Sequence, residues 1–111
     1  MTSDFYAERL AIYDQLVAIS SKFDRKGKTS PYTSANGYMF SQLNKTGEIG
    51  IRLPKDQQQA FFEEHDTTVF KSYGAVMNGY VLVPDHMLED LPALAVYLDA
   101  GYEYVMSLEP K

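Results

Sequence analysis

The feature that most constrains this chain is a hairpin pattern in its middle. Residues 37–43 alternate between two sides, as the residues of a strand do. Residues 44–47, with the sequence Asn-Lys-Thr-Gly, are typical of a tight turn because the glycine can adopt a positive φ. Residues 48–53 return as a second strand, in which isoleucine and leucine alternate with polar residues and a glycine. The sequence therefore predicts an antiparallel pair of strands at the centre of the fold.

Helical patterns stand on both sides of this hairpin. Residues 4–21 repeat apolar side chains at helical spacing, and Asp4 is a residue type that caps helix N-termini. A second helix is predicted over residues 55–65, directly after Pro54. A third helix follows Asp90, the predicted N-cap, and has a proline in its first turn, where the missing N–H costs little.

The remaining pattern favours an α+β fold. Residues 75–83 form a predicted strand that is apolar on both faces, and a short strand is predicted around residues 69–70. Apolar residues on both faces indicate burial on both sides, either by helices or by another subunit. The order α-β-β-α-β(β)-α predicts a two-layer sandwich around a mainly antiparallel sheet. Residues 1–111 contain no linker and are predicted to form a single domain.

The first helix carries more apolar surface than a surface helix needs, since two adjacent stripes cover about half of its circumference. One stripe comprises Phe5, Ile12, Leu16 and Ile19, and the other comprises Tyr6, Leu10, Tyr13 and Val17. Arg9 falls between the stripes. It either extends its charge into solvent from the first turn or serves as an interface arginine that helps a partner to dock.

Composition excludes several classes of site. The chain has no cysteine, so disulfides, thiol catalysis and thiolate metal sites are excluded. No window approaches the ~18 apolar residues of a membrane span, and no signal peptide is visible, so a cytoplasmic protein without membrane contact is predicted. A net charge of −5 disfavours nucleic acid as a partner. One basic cluster is either a solvated helix end or a phosphate-binding patch: Lys22, Arg25, Lys26 and Lys28.

No catalytic, cofactor or metal constellation is predicted. The Gly-Lys-Thr triplet at residues 27–29 is similar to the end of a phosphate-binding loop, but position 22 is lysine where that motif needs glycine. His65 and His86 lie in different elements, and neither has a second histidine at helical spacing, so a metal site is not expected. The serines have no nearby histidine, and adjacent carboxylates on a helix point apart. The prediction is a protein that is not an enzyme.

The polar loop at residues 26–36 is the stretch that packing explains least, and it has two interpretations. As a site it would bind a small anion or peptide, with contacts from Lys26, Lys28, Tyr32 and Arg52. As scaffold it would be an ordered crossover whose hydroxyls cap the backbone, with Tyr32 inserted into the core. Arg52 could instead pair with Glu48 in its own strand.

Short motifs along residues 26–111 give the chain a resemblance to a known family. They are Asn36-Gly37-Tyr38-Met39-Phe40, Arg52-Leu53-Pro54, the run from Val76 to Pro84, and Tyr104-Val105-Met106-Ser107-Leu108 with Pro110-Lys111. The chain resembles the TfoX N-terminal domain-like family, which includes the YgaC-like proteins, although many members carry Met-Phe-Gly where this chain has Ser-Pro-Tyr at residues 30–32. The resemblance implies an antiparallel α+β fold similar to secretion chaperones, a cytoplasmic and frequently dimeric protein, and no catalytic residues. The name-giving relatives regulate DNA uptake competence together with a second domain.

Two functions are therefore expected of this chain. The first is a non-enzymatic interaction or regulatory module that forms a homodimer, with Tyr80 and Leu82 of the doubly apolar strand as interface residues. The alternative is a small-ligand or anion-binding protein that uses residues 26–36 and Arg52. No cofactor is expected in either case.

Overall fold

The computed structural model describes residues 4–111. Its helices are α1 (Asp4–Ala18), α2 (Lys55–His65) and α3 (Leu91–Met106), and its strands are β1 (Tyr32–Ala35), β2 (Tyr38–Leu43), β3 (Ile49–Arg52), β4 (Val69–Ser72) and β5 (Ala75–Leu82). A short 3-10 helix, Asp85–Glu89, precedes α3. The predicted α+β class and mainly antiparallel sheet are confirmed, with five strands in the sheet. Among the described helices, none has both the length and the apolar character needed to cross a membrane.

The sheet has the strand order β1-β2-β3-β5-β4, and every neighbouring pair is antiparallel. The predicted hairpin is its centre: β2 and β3 pair in a register that places Ser41 opposite Ile51. Ile51 in turn lies opposite Val81 of β5. Because cross-strand partners share a face, these residues form one row beneath the helices.

The main core lies between this face of the sheet and the helices. Leu94, Leu98 and Val105 of α3 are fully buried there together with Ile51 and other apolar residues of the sheet. α3 approaches β3 closely at Gly101, where a Cβ atom would stand 2.7 Å from the carbonyl oxygen of Arg52. The predicted N-cap of α3 is confirmed, since the Asp90 side chain accepts a hydrogen bond from the Ala93 amide.

The opposite face of the sheet has a smaller apolar centre. Phe70 of β4 is fully buried but lies outside the main core cluster. A Cβ atom on Gly50 would stand 2.4 Å from the Phe70 ring, so the ring rests directly on the backbone of β3. The Asn44 side chain donates to the carbonyl oxygen of Lys71 at 2.8 Å and ties the β2–β3 turn to β4. The Phe70 ring therefore covers this face of the sheet around Gly50.

The prediction of a continuous loop over residues 26–36 is wrong in its second half. Residues 32–35 form β1, an edge strand paired with β2. Its sequence, Tyr-Thr-Ser-Ala, has no clear apolar alternation. It forms a strand nevertheless, because it pairs with the backbone of the neighbouring strand. Thr33 lies opposite Ser41 and Ser34 opposite Met39, so Phe40 is an extra, unpaired residue in β2.

Two further boundaries differ from the prediction. α1 ends at Ala18, before the serines at residues 20–21 that were predicted to belong to it. β5 is not buried along its whole length, since Val76 is 50% exposed where the strand pairs only with β4. The pairing partners of β5 change along its length, and an apolar pattern alone does not show this.

Candidate functional site

The first part of the loop, residues 26–31, is tied back on itself. Lys26 and Tyr32 exchange two backbone hydrogen bonds, of 2.7 and 3.0 Å, which close the chain between them. The Ser30 hydroxyl lies 2.8 Å from the hydroxyl of Tyr73 at the tip of the β4–β5 hairpin. The loop is therefore held by the chain itself, in keeping with the interpretation as an ordered crossover.

The side chains predicted to bind a ligand from this loop have different surroundings. The Lys26 ammonium donates to the Ser34 hydroxyl at 3.3 Å, whereas Lys28 is exposed and forms no ion pair or hydrogen bond with other described residues. Tyr32 is half-buried, and its ring lies beside Gly27 rather than in the main core. Tyr32 is therefore not part of the main core, and a ligand site formed by this loop stays a prediction.

Arg52 lies elsewhere, at the end of β3. Its guanidinium carbon is 5.6 Å from the centre of the Tyr38 ring and 5.3 Å from that of the Tyr104 ring, within the range of cation–π contacts. The predicted pairing with Glu48 is wrong, because the Glu48 carboxylate accepts hydrogen bonds from its own turn. Across residues 4–111, no carboxylate forms an ion pair with Arg52.

The predicted interface residues of β5 are largely covered by the chain itself. Tyr80 is 7% exposed, and its hydroxyl donates to the carbonyl oxygen of Met39 at 2.7 Å. Burial raises its pKa to about 12. Leu82 is half-buried opposite Gly50. Tyr80 is therefore corrected from an interface residue to a residue that fastens β5 to β2.

The two histidines are closer than their sequence positions indicate. The ring centres of His65 and His86 are 6.4 Å apart, at a cavity of about 200 Å³ that Asp90 also lines. His65 Nε2 is 2.7 Å from the Tyr97 hydroxyl. Within residues 4–111, no group of three or more His, Asp or Glu side chains is arranged to hold a metal ion.

One of the described clefts lies between α1 and the 3-10 helix, and we call it the α1 groove. Its volume is about 470 Å³. Its apolar lining includes Phe5 and Ile12 from α1 and Leu88 from the 3-10 helix. Phe5 is 48% exposed, so the outer apolar stripe of α1 is left open to solvent at this point. The excess of apolar residues on the first helix was the signal in the sequence for this surface.

Charged side chains surround the α1 groove: Glu8, Arg9, Asp85 and Glu89. Arg9 is only 13% exposed, donates to Asp85 at 3.0 Å and lies over the Phe5 ring at 4.6 Å. It therefore fixes α1 to the 3-10 helix, which neither of its predicted roles includes. Glu8 and Glu89 form no ion pair with other described residues and leave the rim acidic.

A buried group of hydroxyls anchors α1 to the sheet. The Tyr13 hydroxyl lies 2.7 Å from the Ser41 hydroxyl, which also contacts the hydroxyl of Thr33. Burial raises the pKa of Tyr13 well above its usual range. All three side chains are fully buried, so these hydroxyls hold the fold together and do not face a substrate.

Comparisons with known proteins identify no relative. No family model matches the chain, and no curated protein or solved structure matches it.

Proposed function

We propose that the protein is a non-enzymatic interaction module that binds another protein through the α1 groove. The observation that carries this proposal is the open apolar surface that Phe5, Ile12 and Leu88 form between two helical segments. Single exposed apolar residues are ordinary, whereas apolar side chains that meet in a cleft with a polar rim are typical of binding sites. A regulatory role, a cytoplasmic location and membership of the TfoX N-terminal domain-like family stay predictions.

The groove supports this function better than the strand from which an interface was first expected. Tyr80 of β5 is buried by the chain itself, so the argument for a homodimer through that strand loses its main residue. Phe5 and Ile12 belong to a helix whose other apolar stripe is already buried through Tyr13 and Val17. The described residues leave Phe5 half exposed, so a second molecule could pack against it.

Site-specific photo-crosslinking tests the proposal. Benzoylphenylalanine would replace Ile12 in the groove and, as a matched control, Val96, which is 66% exposed on α3. We expect discrete adducts in cells from position 12 and none from position 96. The adduct partner, identified by mass spectrometry and purified, should bind the native protein and bind Ile12→Asp more weakly.

Each outcome of the crosslinking has a distinct meaning. An adduct with a different protein, or with a second copy of this chain, supports an interaction function. Equal adducts from both positions, or none from either, would contradict it.

A second candidate function, binding of a small anion, is favoured by the surroundings of Arg52. Its partly buried guanidinium lies between two tyrosine rings with no carboxylate partner, and Lys111 Nζ is 5.2 Å from the centre of the Tyr38 ring. An unpaired, partly desolvated cation that shares the Tyr38 ring with a lysine would gain from an anion such as phosphate.

Titration with inorganic phosphate, followed by nuclear magnetic resonance, tests this candidate. We expect saturable shifts of the Arg52 side-chain signal and of the amide of Gly79, whose Cα lies beside Arg52. The shifts should disappear in Arg52→Gln and persist in Lys28→Gln, the matched change of an exposed cation. Shifts that persist in Arg52→Gln would exclude this site.

A further inference from the structure

The exposed apolar side chains of α1 follow a regular interval. Phe5, Ile12 and Ile19 are seven residues apart, and the first and last are 48% and 49% exposed. Seven residues are close to two helical turns, so such side chains lie along one side of a helix. Ile19 stands one residue beyond the end of α1 and is not among the side chains that line the α1 groove. Two helices pack together through apolar side chains at this spacing.

The charge of the α1 groove restricts what can lie in it. Three carboxylates and one guanidinium line it, and no lysine does. The guanidinium of Arg9 is already paired with Asp85, so Glu8 on one wall and Glu89 on the other are the free charges. A basic occupant would be attracted from both sides.

The walls also restrict the conformation of the occupant. α1 and the 3-10 helix present side chains to the groove, and neither is a sheet edge with free backbone groups. An extended peptide could not add to a sheet here, and its backbone polar groups would lose water without gaining partners. A helical occupant satisfies its own backbone hydrogen bonds.

We infer that the α1 groove binds an amphipathic helix of a partner protein, with its apolar face in the groove and lysine or arginine on its flanks. This inference rests on the proposed function and names the chemistry of the partner. A second copy of the chain is disfavoured, because a two-fold interface centred on the groove would bring its acidic rim onto itself. Anionic membranes and nucleic acids are disfavoured by the same negative charges.

A set of three labelled peptides of about 18 residues tests the inference by fluorescence anisotropy. The first carries leucine at i, i+3, i+4 and i+7 positions and lysine elsewhere. The second has the same composition in scrambled order, and the third keeps the leucine pattern with glutamate in place of lysine. We expect the patterned Leu/Lys peptide to bind at least about tenfold more tightly than either control.

Two variants of the protein and one matched control test whether the peptide binds in the α1 groove. The double variant Glu8→Lys, Glu89→Lys should weaken binding of the Leu/Lys peptide by about tenfold at low salt and improve binding of the Leu/Glu peptide. Ile12→Asp should weaken both, and Val96→Asp is the matched control that should change neither. Circular dichroism verifies that each variant is folded, and the double variant tests the groove without changing its apolar lining.

Several results would overturn the inference. They are equal binding of the patterned and scrambled peptides, equal binding of the lysine and glutamate peptides, and binding that the double variant leaves unchanged. A concentration-dependent dimer that Ile12→Asp abolishes would identify a second copy as the occupant instead. If position 12 crosslinks to a partner but the protein shows no preference for basic helical peptides, the proposed function stands. Only this inference is then contradicted.

Discussion

α1 and α3 lie on the same face of the sheet and touch each other, yet they differ in how much of their apolar surface the chain covers. α3 fully buries Leu94, Leu98 and Val105, and the two large apolar residues that it leaves exposed, Val96 and Met106, are ten positions apart. α1 buries Tyr13, Leu16 and Val17 but leaves Phe5 half exposed and Ile12 only partly covered. The comparison shows that an apolar stripe in a sequence indicates a contact without indicating whether the chain supplies the partner.

The positions of the two helices explain the difference. α3 crosses β1, β2 and β3 and also meets α1 and the 3-10 helix. The main contacts of α1 are β2 and α3, so only one side of it faces the rest of the protein. The 3-10 helix lies beside its other side without filling the space, which forms the α1 groove.

The largest expected effect is on α3, the helix whose apolar face the chain covers. Leu98→Ala removes a side chain of α3 that is 1% exposed and leaves a cavity in the core. We expect the free energy of unfolding to fall by about 3 kcal/mol, measured by denaturant titration. Val96→Ser on the outer side of the same helix should change it by less than about 0.5 kcal/mol. Similar losses in the two variants would contradict the burial assigned to α3.

A smaller effect is expected where α3 meets β3. Gly101→Ala places a methyl group 2.7 Å from the carbonyl oxygen of Arg52, a backbone atom that cannot turn away. We expect a loss of about 2 kcal/mol, although alanine favours helices by about 1 kcal/mol over glycine. Ala93→Gly, at an exposed position of α3, should instead lose about 1 kcal/mol or less. A more stable Gly101→Ala protein would show that α3 can move away from the sheet.

The sequence predicted what depends on local periodicity. The hairpin of β2 and β3, the helix after Pro54 and the N-cap at Asp90 were confirmed because each is encoded by residues close together in the chain. β1 was missed because residues 32–35 have no strand pattern of their own and pair through the backbone of β2.

The candidate sites were less predictable, because their residues are far apart in the sequence. The α1 groove joins residues that are about 76 positions apart, as Arg9 and Asp85 are. The excess of apolar residues on the first helix indicated a contact. It did not indicate that the 3-10 helix forms the second wall of the groove. Arg52 was assigned to residues 26–36, whereas its neighbours Tyr38 and Tyr104 come from β2 and α3. Only the tertiary fold decides which polar residues meet.

The buried side of α1 gives a third prediction, since it is fixed partly by hydroxyls and not by apolar contacts alone. Tyr13→Phe removes a hydrogen bond with Ser41 and should cost about 1 kcal/mol at neutral pH. Burial raises the pKa of Tyr13 in the folded protein, so above pH of about 10 the unfolded chain releases this proton first. The stability of the native protein is therefore full below that pH and should fall above it.

Denaturant titrations between neutral and alkaline pH measure this loss. The free energy of unfolding should decrease by about 1.4 kcal/mol per pH unit for each such tyrosine, and Tyr13→Phe should make the slope shallower by that amount. Tyr80→Phe should act in the same direction, because the pKa of Tyr80 is raised to about 12. An unchanged slope in both variants would show that these hydroxyls reach water in the folded protein.

The smallest effect is expected at an exposed apolar residue just after α1, and this prediction tests the contrast with α3. Ile19→Ser replaces a side chain that is 49% exposed, and we expect the free energy of unfolding of the isolated protein to change by less than about 0.5 kcal/mol. The same denaturant titration that detects Leu98→Ala measures it. A loss above 1 kcal/mol would mean that the chain itself covers this side chain. A near-zero change means that the apolar side chain at this position does not contribute to folding, which leaves it free to contact another molecule.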